Sequence, residues 1–156
     1  MNTLVIYDSV YGNTAQIANA IASTFEQYGP TKLVQASSTP VLDLTGIDLL
    51  ALGGPTQGHG VSPAIRDLLD KVPSEKLLNI GTIAFDTRMD FVRWLSGSAA
   101  STIGKKLEQY QVNLLVPPES FLVAGREGPL KQGELERAAE WAHLIAENLG
   151  ATVVVG

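Results

Sequence analysis

The feature that most constrains this chain is a regular alternation of short apolar runs with longer segments of helical periodicity. Short apolar runs predict strands, whereas apolar residues spaced three and four apart predict amphipathic helices. We predict strands at 3–8, 32–36, 47–52, 77–85 and 113–116, the last resuming at 120–123 after Pro117-Pro118. We predict helices at 14–28, 63–72, 98–110 and 134–149. This alternation implies an α/β fold in which a parallel sheet carries helices on both faces.

The connections between these elements leave few possible topologies, because crossovers between parallel strands are right-handed. The best fit is a doubly wound, five-stranded parallel sheet with strand order 2-1-3-4-5. The chain has 156 residues and contains no internal repeat, low-complexity tract or long linker. We therefore expect a single domain over residues 1–156.

Composition excludes several classes of function. The chain has no cysteine, which rules out disulfides, thiolate catalysis, iron–sulfur clusters and Cys-based zinc sites. A net charge of −5 argues against a nucleic-acid binder, which would present a basic face. No apolar run approaches the roughly 20 residues of a membrane span, and no basic leader precedes the first strand. We expect a cytoplasmic protein.

Three loops rich in Gly, Ser, Thr, Asn and Asp follow predicted strands 1, 3 and 4, at residues 8–14, 53–62 and 86–91. These strands are neighbours in the predicted order, so their carboxyl ends lie side by side. Ligands bind open α/β sheets at this edge, where the strand order reverses. The sequence therefore predicts a ligand site built from these three loops.

The first of these loops has the chemistry of an anion site. It leads into a helix, and the free N–H groups and positive dipole end of a helix favour a phosphate. Side-chain donors surround this point, and Gly12 permits a tight turn: the donors are Ser9, Tyr11, Asn13 and Thr14. The loop contains no Lys or Arg, which favours the phosphate of a bound cofactor over a nucleotide undergoing hydrolysis. A capped turn without a ligand uses the same residue types, so the loop alone leaves both interpretations open.

Over its whole length the chain resembles flavodoxin and the flavodoxin-like FMN proteins. Their phosphate loop reads approximately Thr/Ser-x-Thr-Gly-x-Thr, and Ser9-Val10-Tyr11-Gly12-Asn13-Thr14 matches it. The resemblance implies that the side chains of Ser9, Asn13 and Thr14 and the backbone of 10–14 hold the FMN phosphate. It also implies that loop 55–60 lies along one side of the isoalloxazine, and that 86–88 lies along the other, near the pyrimidine edge. The cofactor-binding residues implied in this way are Ser9, Val10, Tyr11, Gly12, Asn13, Thr14, Pro55, Thr56, Gln57, Gly58, His59, Gly60, Asp86, Thr87 and Arg88.

The sequence departs from the usual flavodoxin pattern around the flavin. Tyr11 stands where the family usually has a small hydroxyl residue. The second loop has Gln57 and His59 where flavodoxins often have a Trp, and the third has Met89 and Phe91 rather than a Tyr. The aromatic pair that usually encloses the flavin is therefore missing from these loops.

The charges of the third loop also differ, because Arg88 stands between Asp86 and Asp90 where an acidic cluster is usual. Reduction of a flavin places negative charge near N1, and a nearby cation stabilises that charge. We hypothesise that Arg88 raises the two-electron potential relative to ordinary flavodoxins. The alternative is that Arg88 points to solvent or pairs with one of the two aspartates.

Several other residues are expected to be structural. We expect Trp141 to lie in the core or at the rim of the last helix, and Trp94 to pack in the protein interior. We expect His143 to lie on the surface and residues 125–133 to form a turn-rich link. The uncharged residues 151–156 form a strand-like tail suited to pairing with a sheet edge or another chain. The last helix is expected to bury Leu135, Ala138, Ala142, Ile145 and Leu149.

The leading functional prediction is a non-covalent FMN electron carrier that shuttles electrons between a reductase and an acceptor. The first alternative is an NAD(P)H-dependent quinone or flavin reductase of the flavodoxin-like superfamily. The second is an interaction module that keeps the fold without FMN, which the missing aromatic pair leaves open. A receiver-type signalling domain is excluded, since Asp8 is alone after strand 1 and Gly53-Gly54-Pro55 follows strand 3 in place of a phospho-accepting aspartate.

Overall fold

The computed structural model describes residues 1–55, 62–90, 104–105 and 107–154 of the chain. Its strands are β1 (Thr3–Tyr7), β2 (Thr31–Gln35), β3 (Leu49–Pro55), β4 (Gly81–Met89), β5 (Asn113–Leu114) and β6 (Glu119–Val123). Its helices are α1 (Asn13–Phe25), α2 (Pro63–Asp70), α3 (Ser74–Leu78) and α4 (Glu134–Asn148), with 3₁₀ turns at Glu26–Tyr28 and Ala36–Ser38. Residues 104–105 and 107–109 are also helical and fall within the predicted helix 98–110. Residues 98–103 and 106 of that prediction lie outside the described ranges.

The strands are all parallel and lie in the order β2-β1-β3-β4-β5, which confirms the predicted order. β5 and β6 both pair with β4, β5 beside Gly81 and Thr82 and β6 beside Phe85 to Met89. Pro117 and Pro118 separate them, and proline lacks the N–H that a continuous ladder needs. The predicted fifth strand is therefore one sheet position filled by two short strands.

The two central strands reach further towards the carboxyl edge than predicted. β3 ends at Pro55 rather than 52, and β4 ends at Met89 rather than 85. The loop predicted for Asp86, Thr87 and Arg88 is thus wrong, because these residues pair with Ser120, Phe121 and Leu122 of β6. The predicted start of this strand at 77 is also wrong, since Ser74–Leu78 form α3. Neighbours on both sides satisfy the backbone of β4, and this tertiary context overrides the low strand propensity of aspartate.

β3 needs a glycine at position 53, because the ring of Phe85 on the adjacent strand packs directly against the Cα of this residue. A Cβ at this position would lie 2.1 Å from Cε2 and Cζ of Phe85. At Gly54 the nearest atom is Cδ1 of Ile65 at 3.6 Å, an ordinary contact. The first glycine of this pair is therefore required by packing, and the chain can remain extended through both.

An apolar layer covers each face of the sheet, as predicted. One layer contains α1 and α4, and its fully buried members include Val5, Ile17, Ile21, Phe25, Phe85 and Phe121. The other contains α2 and α3, and its members include Ile6, Leu50, Leu52, Ile65, Leu69 and Leu77. Ser62 caps α2 by accepting a hydrogen bond from Ile65 N at 3.3 Å, and Pro63 is the first helical residue, where the predicted helix 63–72 begins.

The buried face of α4 differs from the predicted one at both ends. Leu135 and Leu149 are exposed, whereas Glu134 is buried. Between the ends, the buried residues of α4 are Ala138, Ala142, Ile145 and Ala146. Trp141 lies at the rim of the core, with its ring edge-on to Phe85 and Phe121, as expected.

The tail after α4 does not form a strand over residues 151–154. Ala151 N donates to Ala146 O at 3.0 Å and Val154 N donates to Gln27 O at 2.7 Å, so the tail lies against the 3₁₀ turn that follows α1. His143 is partly exposed, and its Nδ1 forms a hydrogen bond with the hydroxyl of Tyr28. No helix in the described part of the chain combines the length and the apolar character needed to cross a membrane.

Candidate functional site

The carboxyl ends of β1, β3 and β4 meet at one edge of the sheet. Tyr7, Gly53 and Phe85 lie side by side in the ladder, and β3 and β4 extend beyond this level to Pro55 and Met89. β1 lies between β2 and β3, which makes this edge the point where the chain order reverses. The structure therefore brings the starts of the three predicted loops together at the position where open α/β sheets bind ligands.

Ser9 organises the first loop, which connects β1 to α1. Its hydroxyl oxygen accepts hydrogen bonds from Gly12 N at 3.1 Å and Ala15 N at 3.4 Å. Gly12, the N-cap residue of α1, has φ 87°, a left-handed conformation that favours glycine, and it has no side chain to cap the helix. Backbone donors thus converge at the positive end of α1, which is the arrangement that binds an anion.

Asn13 and Thr14, the first two residues of α1, are both buried. The side-chain amide of Asn13 donates to Glu127 O at 3.2 Å. The hydroxyl oxygen of Thr14 lies 2.7 Å from that of Thr87 on β4. Both side chains therefore connect the start of α1 to other parts of the protein, while Val10 and Tyr11 of the same loop are exposed.

The end of β4 carries the charged residues of the site. Asp86 is fully buried, whereas Asp90, one residue beyond β4, is exposed. Lys131 Nζ lies 2.5 Å from Asp90 Oδ2. The pKa of Asp90 is held below its usual value by this hydrogen bond and by the charge of Lys131, and the charge of Arg88 acts in the same direction. Two cations, Arg88 and Lys131, therefore lie close to one exposed carboxylate at this edge.

A hairpin that the sequence did not predict borders the first loop. After β6 the chain turns and runs back beside it, with a bridge between Val123 and Leu130. Ala124 N donates to Pro129 O at 2.8 Å, and Gly128 N donates to Gly125 O at 3.0 Å, closing the tip. Gly128 and Pro129 lie within residues 125–133, for which the sequence predicts only a turn-rich link. The two glycines at 125 and 128 were the available signal for the tip, but the return strand has no apolar run of its own.

The base of this hairpin is fixed to α4 by Glu134 and Arg137. Glu134 accepts from Leu122 N at 2.7 Å and from Arg137 Nε and Nη2 at 3.1 and 2.8 Å. Arg137 also bonds Glu119 at 2.9 Å, and its guanidinium lies 4.5 Å from the centre of the Phe121 ring. Burial raises the pKa of Glu134, but the hydrogen bonds from Arg137 and Leu122 outweigh it and hold the pKa below its usual value.

Part of the predicted site lies outside the described residues. These are Thr56, Gln57, Gly58, His59 and Gly60 of the second loop, and Phe91 and Trp94 after the third strand. Pro55 is the last residue of β3 and pairs with Thr87. The described portion of the candidate site is therefore the first loop, the ends of β3 and β4, and the hairpin tip.

The described geometry agrees with comparisons to known proteins. The family model described as "Flavodoxin" matches residues 5–141. No curated protein shows significant sequence similarity to the chain.

Solved structures of flavodoxins share the whole fold. A flavodoxin from the domain Archaea superposes with a TM-score of 0.75 at 17% identity, covering 96% of this chain and 99% of that one. Oxidised flavodoxin 1 from Bacillus cereus gives 0.75 at 15% identity, covering 94% and 98%. At these identities the likeness shows the fold alone.

A larger protein also contains this fold. The rubredoxin oxygen:oxidoreductase of Desulfovibrio gigas superposes with a TM-score of 0.75 at 17% identity over 96% of this chain. This chain spans only 36% of that protein.

Proposed function

This chain belongs to the flavodoxin family, whose cofactor is FMN, and we propose that it is a non-covalent FMN electron carrier. In this role it takes electrons from a reductase and passes them to an acceptor protein. The observation that supports the proposal most is the convergence of the Gly12 and Ala15 N–H groups on one point at the start of α1. That point lies at the carboxyl edge of the sheet, beside the ends of β1, β3 and β4.

The residues of the first loop fit the phosphate end of FMN. The donors are neutral, they lie at the positive end of a helix, and the N-cap residue Gly12 contributes no side-chain cap of its own. Ser9 supplies a hydroxyl at the point where the two N–H groups converge, so it can donate to a phosphate oxygen after a rotation of its side chain. Bound FMN would supply the redox chemistry, and the protein would set its affinity and electronic environment.

The carrier role needs no general acid or base from the protein. The edge of β4 offers a buried carboxylate, Asp86, and the cation of Arg88, which can adjust the electrostatic environment without transferring a proton. We extend the proposal to the second loop, 55–60, and to Asp86 and Arg88 as the walls on the two sides of the flavin ring. Both assignments follow from the family resemblance.

The test is an absorbance spectrum of the purified protein, followed by titration of FMN with quenching of its fluorescence as the readout. We expect a yellow protein or saturable quenching. Ser9→Ala should weaken FMN binding, whereas Ser38→Ala, which alters an exposed serine after β2, should not. A colourless protein that leaves FMN fluorescence unchanged would overturn the proposal.

A second measurement separates the carrier from a reductase. We expect NAD(P)H alone to leave the bound flavin oxidised, and a separate flavodoxin reductase to be required for reduction. Rapid bleaching of the flavin by NAD(P)H alone would instead indicate the enzyme.

A further inference from the structure

Two threonine hydroxyls from distant parts of the chain meet beside the first loop. Oγ1 of Thr14 and Oγ1 of Thr87 are 2.7 Å apart, and the residues are separated by 73 positions in sequence. Thr14 is 1% exposed and Thr87 is 4% exposed, so water does not compete for this hydrogen bond. Both side chains are β-branched, which restricts χ1 and limits the geometries open to the pair.

This pair connects the first turn of α1 to the sheet. Thr14 is the second residue of α1, and Thr87 lies on β4 between Pro55 of β3 and Phe121 of β6. The N–H of Ala15, one of the donors that converge on Ser9, belongs to the residue directly after Thr14. The direction of that N–H depends on where the first turn of α1 is held.

We propose that Thr14 and Thr87 form an internal tether that fixes the backbone donors of the phosphate loop, so that Thr87 acts on the phosphate end of FMN rather than on its pyrimidine edge. The inference rests on the proposed function and deepens it. Thr14 is then a positioning residue, with its hydroxyl bonded inside the protein. The phosphate is held by Ser9 and by main-chain N–H groups, and the tether fixes the positions of these N–H groups before the cofactor arrives.

The experiment compares Thr14→Val, Thr87→Val and the double variant, since valine keeps the branched shape and removes the hydroxyl. Thr82→Val is the matched control, because Thr82 is also buried on β4 and its hydroxyl has no hydrogen-bond partner among the described residues. We measure the dissociation constants of FMN and of inorganic phosphate with the apoprotein, and the midpoint potential of the bound flavin. Thr14→Ser, which retains the hydroxyl, tests rescue.

The tether predicts that either valine variant weakens FMN and phosphate binding by the same factor, about tenfold for one lost hydrogen bond. The double variant should bind no worse than either single variant, the midpoint potential should not change, and Thr14→Ser and Thr82→Val should match wild type. Weaker binding in Thr14→Val alone would make Thr14 a direct ligand and overturn the tether. A shifted potential in Thr87→Val would place Thr87 at the flavin ring, and wild-type binding in both variants would also overturn the proposal.

Failure of the proposed function is distinguishable from failure of the tether. If the wild-type protein does not bind FMN, the carrier role fails, and the tether is judged on the unfolding of the apoprotein in denaturant. Non-additive losses of stability in the Thr14 and Thr87 variants would then support the tether. Additive losses would overturn it.

Discussion

The side-chain amide of Asn13 donates a hydrogen bond over 3.2 Å to the main-chain carbonyl of Glu127, 114 residues further along the chain. This contact joins the start of α1 to the tip of the hairpin after β6. The next residue, Gly128, packs against the same amide, since a Cβ there would lie 2.6 Å from Oδ1 of Asn13. The hairpin tip therefore forms a wall beside the first loop, and Asn13 holds it there.

Gly128→Ala should separate the hairpin tip from Asn13 and weaken FMN binding. The new methyl group overlaps the amide of Asn13, and the residue has φ 107°, which disfavours any side chain. Gly133→Ala is the matched control, because Gly133 has φ 87° with nothing within 4 Å of the new methyl group. We expect both variants to lose about 1 kcal/mol of stability from backbone strain. Only Gly128→Ala should also weaken FMN binding in a fluorescence titration, and equal binding in the two variants would contradict this role for the tip.

Gly53→Ala should destabilise the protein strongly, whereas Gly54→Ala should not. The methyl group at 53 would lie 2.1 Å from the buried ring of Phe85, while at 54 it would make an ordinary contact of 3.6 Å with Ile65. Overpacking of a core typically costs about 1–3 kcal/mol. Unfolding in urea measures both variants, and a Gly53→Ala protein as stable as Gly54→Ala would mean that Phe85 moves aside without cost.

The strand order could be predicted from the sequence because it depends on local patterns. Apolar runs, helical periodicity and right-handed crossovers leave one good arrangement, and they also indicate which loops meet at the carboxyl edge. The phosphate-loop motif resembles that of the flavodoxins, and this resemblance predicted FMN as the cofactor. These features need no knowledge of contacts between distant residues.

The ends of β3 and β4 could not be predicted, because they depend on neighbours. Asp86 and Thr87 have the composition of a loop, and pairing with β3 on one side and β6 on the other keeps them extended. The same limit explains the contacts of Asn13 and Thr14, which require the positions of Glu127 and Thr87.

The prediction of the buried face of α4 is wrong at its ends for a related reason. Leu135 has the apolar spacing of a core residue, but it is exposed, and the adjacent Glu134 is buried. Glu134 can be buried because Leu122 N and Arg137 satisfy its carboxylate. Hydrophobic periodicity cannot detect such a bonded carboxylate, since its partners come from another element.

Glu134→Gln should lower stability at neutral pH by about 1.5–3 kcal/mol, the range for hydrogen bonds to charged groups. The folded-state pKa of Glu134 is lowered, so its contribution is present above the unfolded pKa of about 4.3 and is lost as pH falls through the folded value. The difference between wild type and variant should therefore be constant near pH 7 and shrink under acid. Glu136→Gln, at an exposed acid in the same helical turn, controls for the helix dipole. Urea unfolding across pH measures both, and a difference that persists unchanged below the folded pKa would contradict the assignment.

Arg88→Ala should lower the two-electron potential of the bound flavin. Arg88 lies near the end of β4, close enough to Asp90 to lower the pKa of that carboxyl, while Lys131 forms the ion pair with Asp90. A unit charge roughly 5 Å from the flavin at an effective dielectric of about 20 is worth about 3 kcal/mol before screening. Because Arg88 is partly exposed, solvent reduces this figure, and for a two-electron couple the expected shift is on the order of tens of millivolts.

Two control variants test whether the shift in potential comes from the charge at position 88, rather than from the change of side-chain shape there or from the change in net charge of the protein. Arg88→Lys keeps the charge and should keep most of the potential. Arg66→Ala removes a cation from the exposed face of α2 and should change the potential little, because an exposed charge distant from the flavin is screened by salt. Redox titration of the wild type and of the three variants measures the two-electron potential of each. An Arg88→Ala protein with the wild-type potential would mean that the cation acts on Asp90 and its surroundings without reaching the flavin.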